Sequence, residues 1–491
     1  MNIEMRRWSI EHYRRRFVMA AGSGHLLTLE IAFNMTQARR LTERCTSSSF
    51  DSTEFEALRV AAAYGQVATT ELLLKRGVNV EITNSKIQMQ YANSPLILAV
   101  ISESDRTTQM LLDYDADVNA STNGQTALHA AIRIISSKKS LSIVTLLLQY
   151  GADINNSMSV RESVLYCAAA WGSSEVVKLL LDKGAEIERG DDYCSTTPLM
   201  IASEKGRVAT VRLLLEYGAD IHALNDELRT PLEVTANGPV SFSKDGIFLE
   251  GRLEIARLLL RHGAHVNDSR TPQPALFAAI YSSSTDMVSL MLNAGATVWN
   301  HNHEAALRYA CVANPKMKLK RRLEIMRLLL ANDADINDNF GWYGLALTSI
   351  ALDRNFGLKH KLIIIRFLLE HDAAVDQGDA SALLKTCKAS LPFREKLEII
   401  RLMIVYECHR SERSRSREKA IKSVISDIQL TKAQKIVMIL TLLQYQQASS
   451  RDSLDPVLHY ELGKILESAE EGLDAIVAKV MGLCVQVGTS L

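Results

Sequence analysis

The chain has 491 residues, too many for one compact core and enough for several domains or one elongated array. Its 56 Lys+Arg balance 56 Asp+Glu, which argues against a general nucleic-acid binder, since such proteins usually carry a strongly basic domain. Hydrophobic residues make up 47% but aromatics only 6%, so the apolar mass is Leu, Ile, Val and Ala, and seven unpaired-looking cysteines without C-x-x-C spacing fit a reducing compartment, the cytoplasm or the nucleus.

In chain order, "MNIEMRRWSIEHYRRRF" opens the sequence without an apolar signal core, and "AAGSGHLLTLEIAF" (20–33) reads as helix, glycine, helix. A word then recurs: "TELLLKRGVNVE" (70–81), "TQMLLDYDADVN" (108–119), "IVTLLLQYGADIN" (143–155), "VVKLLLDKGAEIE" (176–188) and "TVRLLLEYGADIH" (210–222). It continues through "EIARLLLRHGAHVN" (254–267), "MVSLMLNAGATVW" (287–299), "EIMRLLLANDADIN" (324–337) and "IIRFLLEHDAAVD" (364–376). The turn residues fall at 77, 115, 151, 184, 218, 263, 295, 333 and 372, in steps of 38, 36, 33, 34, 45, 32, 38 and 39. A near-constant period of this size is the mark of a repeat architecture.

The leucine-rich segments are apolar over an unusual width. On a helix each residue turns about 100°, so Leu179, Leu180 and Leu181 with Val176 and Val177 cover nearly two sides. That pattern suits a helix with a neighbour on each flank, and Leu180→Ala is expected to cost about 2–5 kcal/mol. Where glycine at the turn is replaced, the substitutes are Asp115, Asp333 and Asp372, and aspartate tolerates left-handed backbone.

A second signature precedes each leucine word. In "TTPLMIASEKGR" (196–207), Thr197 can cap a helix, Pro198 suits its first turn and Gly206 can end it. Related forms are "QTALHAAI" (125–132), "SVLYCAAAWG" (163–172), "RTPLEVTA" (229–236) and "PALFAAI" (274–280). From the leucine of this word to the first of the triplet is 14 residues in regular units. The distance grows to 18 (128 to 146), 26 (232 to 258), 21 (307 to 328) and 22 (345 to 367), which places the insertions in loops between paired helices.

These residues resemble the ankyrin repeat family, whose T-P-L-H-x-A pattern is met at Thr197-Pro198-Leu199, Thr230-Pro231-Leu232 and Thr126–Ala131, and whose G-A-D-x-N ending is met at Gly151–Asn155. The resemblance implies an all-α repeat solenoid, each repeat a β-hairpin finger plus two antiparallel helices. It divides the chain into an N-terminal helical region with a divergent repeat (1–50), an array of nine clear repeats and a degenerate tenth (51–410), and a C-terminal helical extension (411–491).

Chemistry-bearing motifs are few. There is no P-loop, G-x-G-x-x-G, G-x-S-x-G or H-E-x-x-H in the sequence. "HNHE" (301–304) lacks a third fixed ligand and reads as surface, not a metal site. Cys167, Cys311 and Cys387 occupy small-residue positions of first helices and read as core. "RSERSRSREK" (410–419) reads as a solvated linker, the terminal "TSL" as a chance match to a carboxylate ligand, and "LDPVLHYELGKIL" (454–466) only faintly as an enzyme-docking box. No catalytic residue, cofactor or metal is expected.

What remains is binding. The resemblance implies a protein partner on the concave face of finger tips and first helices, with no catalysis. Finger-tip positions fall on Tyr91, Asn123, Gln125, Tyr193, Thr196, Glu227, Arg229, His301, Glu304, Phe340 and Trp342, and first-helix positions on Arg133, Trp171, Glu204, Lys205 and Tyr281. The leading reading is a monomeric scaffold or adaptor without a transmembrane segment or specific nucleic-acid site. The alternative is a substrate-receptor subunit of an enzyme complex such as a ubiquitin ligase. The inter-helix segments are also basic, above all Lys316, Lys318, Lys320, Arg321 and Arg322, which suggests an edge ridge for an acidic segment or an anionic membrane surface.

Overall fold

The computed structural model describes residues 15–31, 48–81, 94–122, 124–134, 136–155, 162–238, 247–299, 305–338, 345–375 and 381–407, with scattered positions between 420 and 442. They divide into two compact units, one reaching residue 235 together with 245–264, the other comprising 236–244 and the chain from 265 onward.

In the first unit the helices come in pairs: Ser48–Ala63 with Val67–Lys75, Pro95–Ile101 with Asp105–Asp113, and Ala127–Ile132 with Ser137–Gln149. Val164–Trp171 with Ser174–Asp182, Pro198–Glu204 with Val208–Glu216, and the long second helix Ile247–Arg261 follow. The second unit repeats the design with Ala275–Tyr281 and Thr285–Asn293, Ala306–Val312 and Leu319–Leu330, Ala346–Leu352 and Leu358–Glu370, then Ala382–Lys388 and Phe393–Glu407. Within each unit, helices pack on their pair partner and on their equivalents in the neighbouring repeats. Val176, Val177 and Leu180 are fully buried and Leu181 nearly so, which accounts for the wide apolar band: neighbouring repeats cover both flanks.

All nine turn residues expected from the sequence adopt positive φ, from Asp115 at 60° to Gly263 at 93°. A Cβ built at Gly151 or Gly184 meets nothing within 4 Å, so the three aspartates fit the same turn with backbone strain as their only cost. Serine and threonine cap several first helices: Thr197 Oγ1 accepts from the Met200 N–H at 3.3 Å and Ser163 Oγ from the Tyr166 N–H at 3.0 Å, while Pro274, Ala305 and Leu345 stand at this position in later repeats. Thr230 and Glu233 close a reciprocal capping box, at 2.9 and 3.4 Å.

The G-A-D-x-N ending joins repeats. Asp153 Oδ1 accepts from the Asn155 N–H at 2.9 Å and shapes the turn, while Asn155 reaches forward to the next repeat. Strand is sparse. Ser121–Thr122 pairs with Gln125–Thr126, and isolated bridges join Glu162, Asp191 and Thr196.

Three expectations are corrected. The insertions between paired helices are taken up as helix, wholly in the first case and by about half in the others. The second helices run 13, 15, 12 and 13 residues where the sequence inserts, against 9 in regular units such as Ser174–Asp182. Helix propagation satisfies a backbone hydrogen bond with each added residue, which a loop does not. In the repeat at 345–370 the residue equivalent to Leu199 is Leu347; Leu345 stands at the helix cap. Finally, Arg322 does not lie on an exposed basic edge. It is 0% exposed, because the lengthened helix carries it over the end of the preceding helix.

The Arg322 guanidinium donates to the carbonyls of Ala310 at 2.5 Å and Cys311 at 2.9 Å, orphan acceptors in the last turn of Ala306–Val312, and to that of Asn314 just beyond it at 2.8 Å. The same register, eleven residues before the turn, is held by Ser140 and Arg252, and Lys396, like Arg322, is the fourth residue of its second helix. Ser140 donates to Ala131 O at 2.8 Å, Arg252 to Thr235 O at 2.7 Å and Lys396 to Cys387 O at 3.1 Å. Lys361, also in this register and 1% exposed, instead pairs with Glu395 at 2.5 Å. Buried cations here cap the first helix, where positive charge is favourable.

Candidate protein-interaction surface

The finger and first-helix face of the first unit is built on the T-x-L-H word. His129 Nε2–H donates to Glu162 O of the next repeat at 3.1 Å, leaving Nδ1 to accept from the Thr126 hydroxyl at 2.8 Å. Burial, ahead of the favourable bond to Glu162, pushes this imidazole below its ordinary range, toward the neutral form. Glu162 then presents its carboxylate to Arg133 at 3.4 Å and to the Cys167 thiol at 3.2 Å.

The Tyr166 phenol is raised mainly by burial, and further by Asp191, Glu162 and Glu204. Those carboxylates come from two neighbouring repeats, Glu162 from the finger leading into Val164–Trp171 and Asp191 and Glu204 from the next, and act on one ring. Trp171, 59% exposed at the end of its helix, receives the Lys205 ammonium at 6.0 Å from the ring centroid, and Lys205 also pairs with Glu204 at 3.0 Å.

The structure thus brings Arg133, Trp171, Glu204 and Lys205 onto neighbouring first helices of one unit. Gln125 lies half-buried in its short strand. Tyr193, 56% exposed, and the half-buried Thr196 belong to one finger, and Arg229, paired with Glu227 at 2.9 Å, to the next. Tyr281, 49% exposed, belongs to the second unit. Tyr91, Asn123, His301, Glu304, Phe340 and Trp342 lie outside the described residues, as do segments 410–419 and 454–466. Lys316, Lys318, Lys320 and Arg321 are exposed, unlike Arg322.

Sequence reasoning missed Glu162, Tyr166, Asp191 and Leu228. The first three carry no motif of their own. Leu228 sits where the equivalent position of an earlier finger is Gly124, and all that marks it is the absence of a glycine. Cys167, Cys311 and Cys387 are buried, with thiols pushed up to about 12, chiefly by burial, so they are packing residues. Among the described residues no helix is long and apolar enough to cross a membrane.

The family model for Ankyrin repeats (3 copies) matches residues 58–158, 132–225 and 247–340, over half of the chain. The chain belongs to the ankyrin repeat family. Its ankyrin repeats are similar to those of the Ankyrin repeat and SOCS box protein 6 of Pongo abelii, 31% identical over 46% of this chain and 47% of that one. They also resemble a Transient receptor potential cation channel subfamily A member 1 homolog from Caenorhabditis elegans, 27% identical over 51% of this chain and 19% of the channel protein. A third likeness is to the Glycerophosphocholine phosphodiesterase GDE1 of Candida albicans, 28% identical over 41% of this chain and 17% of the enzyme. The chain spans less than half the length of each of these relatives. Ankyrin repeats are protein-interaction modules.

Proposed function

We propose that the chain is a non-enzymatic scaffold or adaptor that holds a protein partner on its finger and first-helix face. One contrast carries the reading. Three second-helix tyrosines are engaged with the preceding repeat: Tyr150 and Tyr217 donate their hydroxyls to Asp113 and Asp182, and Tyr406 to Glu370. On the opposite face the large aromatics Trp171, Tyr193 and Tyr281 stay about half exposed or more, and such residues are common interface anchors. The likeness to a phosphodiesterase covers only 17% of that enzyme, and so gives no support for catalysis in this chain.

The test is photo-cross-linking from position 171 or 281 in the full chain, followed by mass spectrometry. A protein adduct at both positions, with binding of the captured protein weakened in separate Trp171→Ala and Tyr281→Ala chains of unchanged melting temperature, supports the reading. Adducts only from second-helix positions would sink it.

A second reading assigns 411–491 to docking an enzyme complex such as a ubiquitin ligase while the repeats hold its substrate. The support is the likeness to proteins whose names pair ankyrin repeats with a SOCS box. Co-purification of ligase subunits with the full chain but not with 1–410 would favour it.

A further inference from the structure

Two neighbouring fingers of the first unit are joined at their tips. The Asp226 N–H donates to Cys194 O at 3.0 Å, and Ser195 Oγ–H donates to Asp226 Oδ1 at 2.6 Å. On this joined tip Tyr193 and Leu228 remain 56% and 49% exposed.

Leu228 is an expensive residue for that place. Its φ is 56°, in the left-handed region where a Cβ is strained and glycine is not. The equivalent residues of other fingers are Ser195 at 49° and Gly124 at 76°, one small and polar, the other without a Cβ. Half exposed, the leucine recovers little of that cost by burial. Glycine at 228 would serve the fold better.

The charges around it are mostly negative. Asp191, Asp192, Asp226 and Glu227 ring the tip, and Arg229 is already paired with Glu227 at 2.9 Å. Burial raises the Cys194 thiol first, and then Asp191, Asp226 and Glu227 raise it further, so three of these carboxylates act on one point of the tip.

We propose that the joined tip is a specificity element for a partner polypeptide segment that presents an apolar side chain flanked by lysine or arginine. Leu228 and Tyr193 meet the apolar side chain, and the surrounding carboxylates select positive flanks and reject negative ones. The inference rests on the reading that the finger face binds protein, and it adds the chemistry of what is bound.

The experiment titrates the full chain into two fluorescent peptide pools of about 12 residues, alike in a central Leu, Phe or Trp and differing only in Lys/Arg or Asp/Glu flanks, a contrast that electrostatic complementarity should separate by about tenfold. The basic pool is expected to bind tighter and to weaken as salt rises from about 50 to about 500 mM, as screening requires. Leu228→Gly should keep or raise the melting temperature while weakening the basic pool about tenfold, as loss of an apolar anchor does. Asp191→Asn with Asp226→Asn should flatten the salt dependence.

Equal binding of the two pools, no binding of either, or wild-type affinity in Leu228→Gly overturns the proposal. A parallel fall of stability and affinity in Leu228→Gly would make the residue structural and overturn it as well. Cross-linking at Trp171 that persists while the tip variants have no effect would overturn this inference alone and leave the broader reading in place.

Discussion

Asn155 is bonded twice to the repeat that follows it: its Nδ2–H donates to Gly184 O at 2.9 Å, and its Oδ1 accepts from the Glu186 N–H at 2.9 Å. Asn119, Asn267 and Asn337 make the same pair of bonds, to Gly151 and Asp153, Gly295 and Thr297, and Asp372 and Ala374. Glu81 and Glu188 hold this register elsewhere and make only the accepting bond, from the Asp117 N–H at 3.3 Å and the Asp220 N–H at 2.7 Å.

Asn155→Ala should therefore lower stability by about 1–3 kcal/mol, two hydrogen bonds at about 1 kcal/mol each with orphaned groups added. Glu188→Asn should raise it by about 1 kcal/mol, since asparagine can donate as well as accept. Burial pushes the Glu188 carboxyl above its ordinary range, so its ionised form is a cost that appears as pH rises past that range. The gain from Glu188→Asn should be larger at neutral pH than at about pH 4. Urea unfolding at the two pH values measures both.

The inter-helix cations should separate into two classes. Arg322→Ala should cost about 3 kcal/mol or more, because three carbonyls lose a charged donor and the buried side chain leaves a cavity. Lys320→Glu and Arg321→Glu, on exposed side chains, should stay within about 0.5 kcal/mol of wild type. Thermal melts of the full chain distinguish these outcomes. Equal effects from all three substitutions would contradict the capping role of Arg322.

His129 should make the fold weaken in mild acid. Its folded-state pKa is depressed, so the unfolded chain takes up the proton first as pH falls below the ordinary histidine value. Stability present at neutral pH should thus decline below about pH 6.5, with a slope no greater than about 1.4 kcal/mol per pH unit from this group. His129→Gln should flatten that slope in denaturant titrations between about pH 7 and 5.

Stronger acid should act on the second unit through Asp268. The Arg270 guanidinium, at 2.6 Å, holds this carboxyl down to about 2. A depressed carboxylate stabilises above its ordinary pKa of about 4 and loses that contribution as pH falls toward about 2. Arg270→Ala should move the acid transition followed by circular dichroism to higher pH, and Asp268→Asn should remove its contribution.

The two helices of each unit, the positions of all nine turns and the reason for aspartate at three of them could be read from the period, the cap and leucine words and the left-handed tolerance of aspartate. The fate of Arg322 could not. Its neighbours Lys320 and Arg321 look the same in sequence, and the difference arises only because the helix is extended backward and rotates one cation in three over a set of free carbonyls. The offset of Leu345 from Leu347 has a similar cause: two leucines at spacing two both suit an apolar cap, and packing selects one. On the finger face, aromatics at Trp171, Tyr193 and Tyr281 were visible as candidates. The strained Leu228 was not, since φ is a property of the folded turn.

The bridges made by Asn119, Asn155, Asn267 and Asn337 all run the same way, from an earlier repeat to a later one. Synthesis also runs the same way, from the N-terminus. A repeat leaving the ribosome therefore meets an amide already held in place by the turn before it, and its first backbone groups have a template to settle on. Order can then spread along the emerging chain repeat by repeat, without waiting for distant sequence to be made.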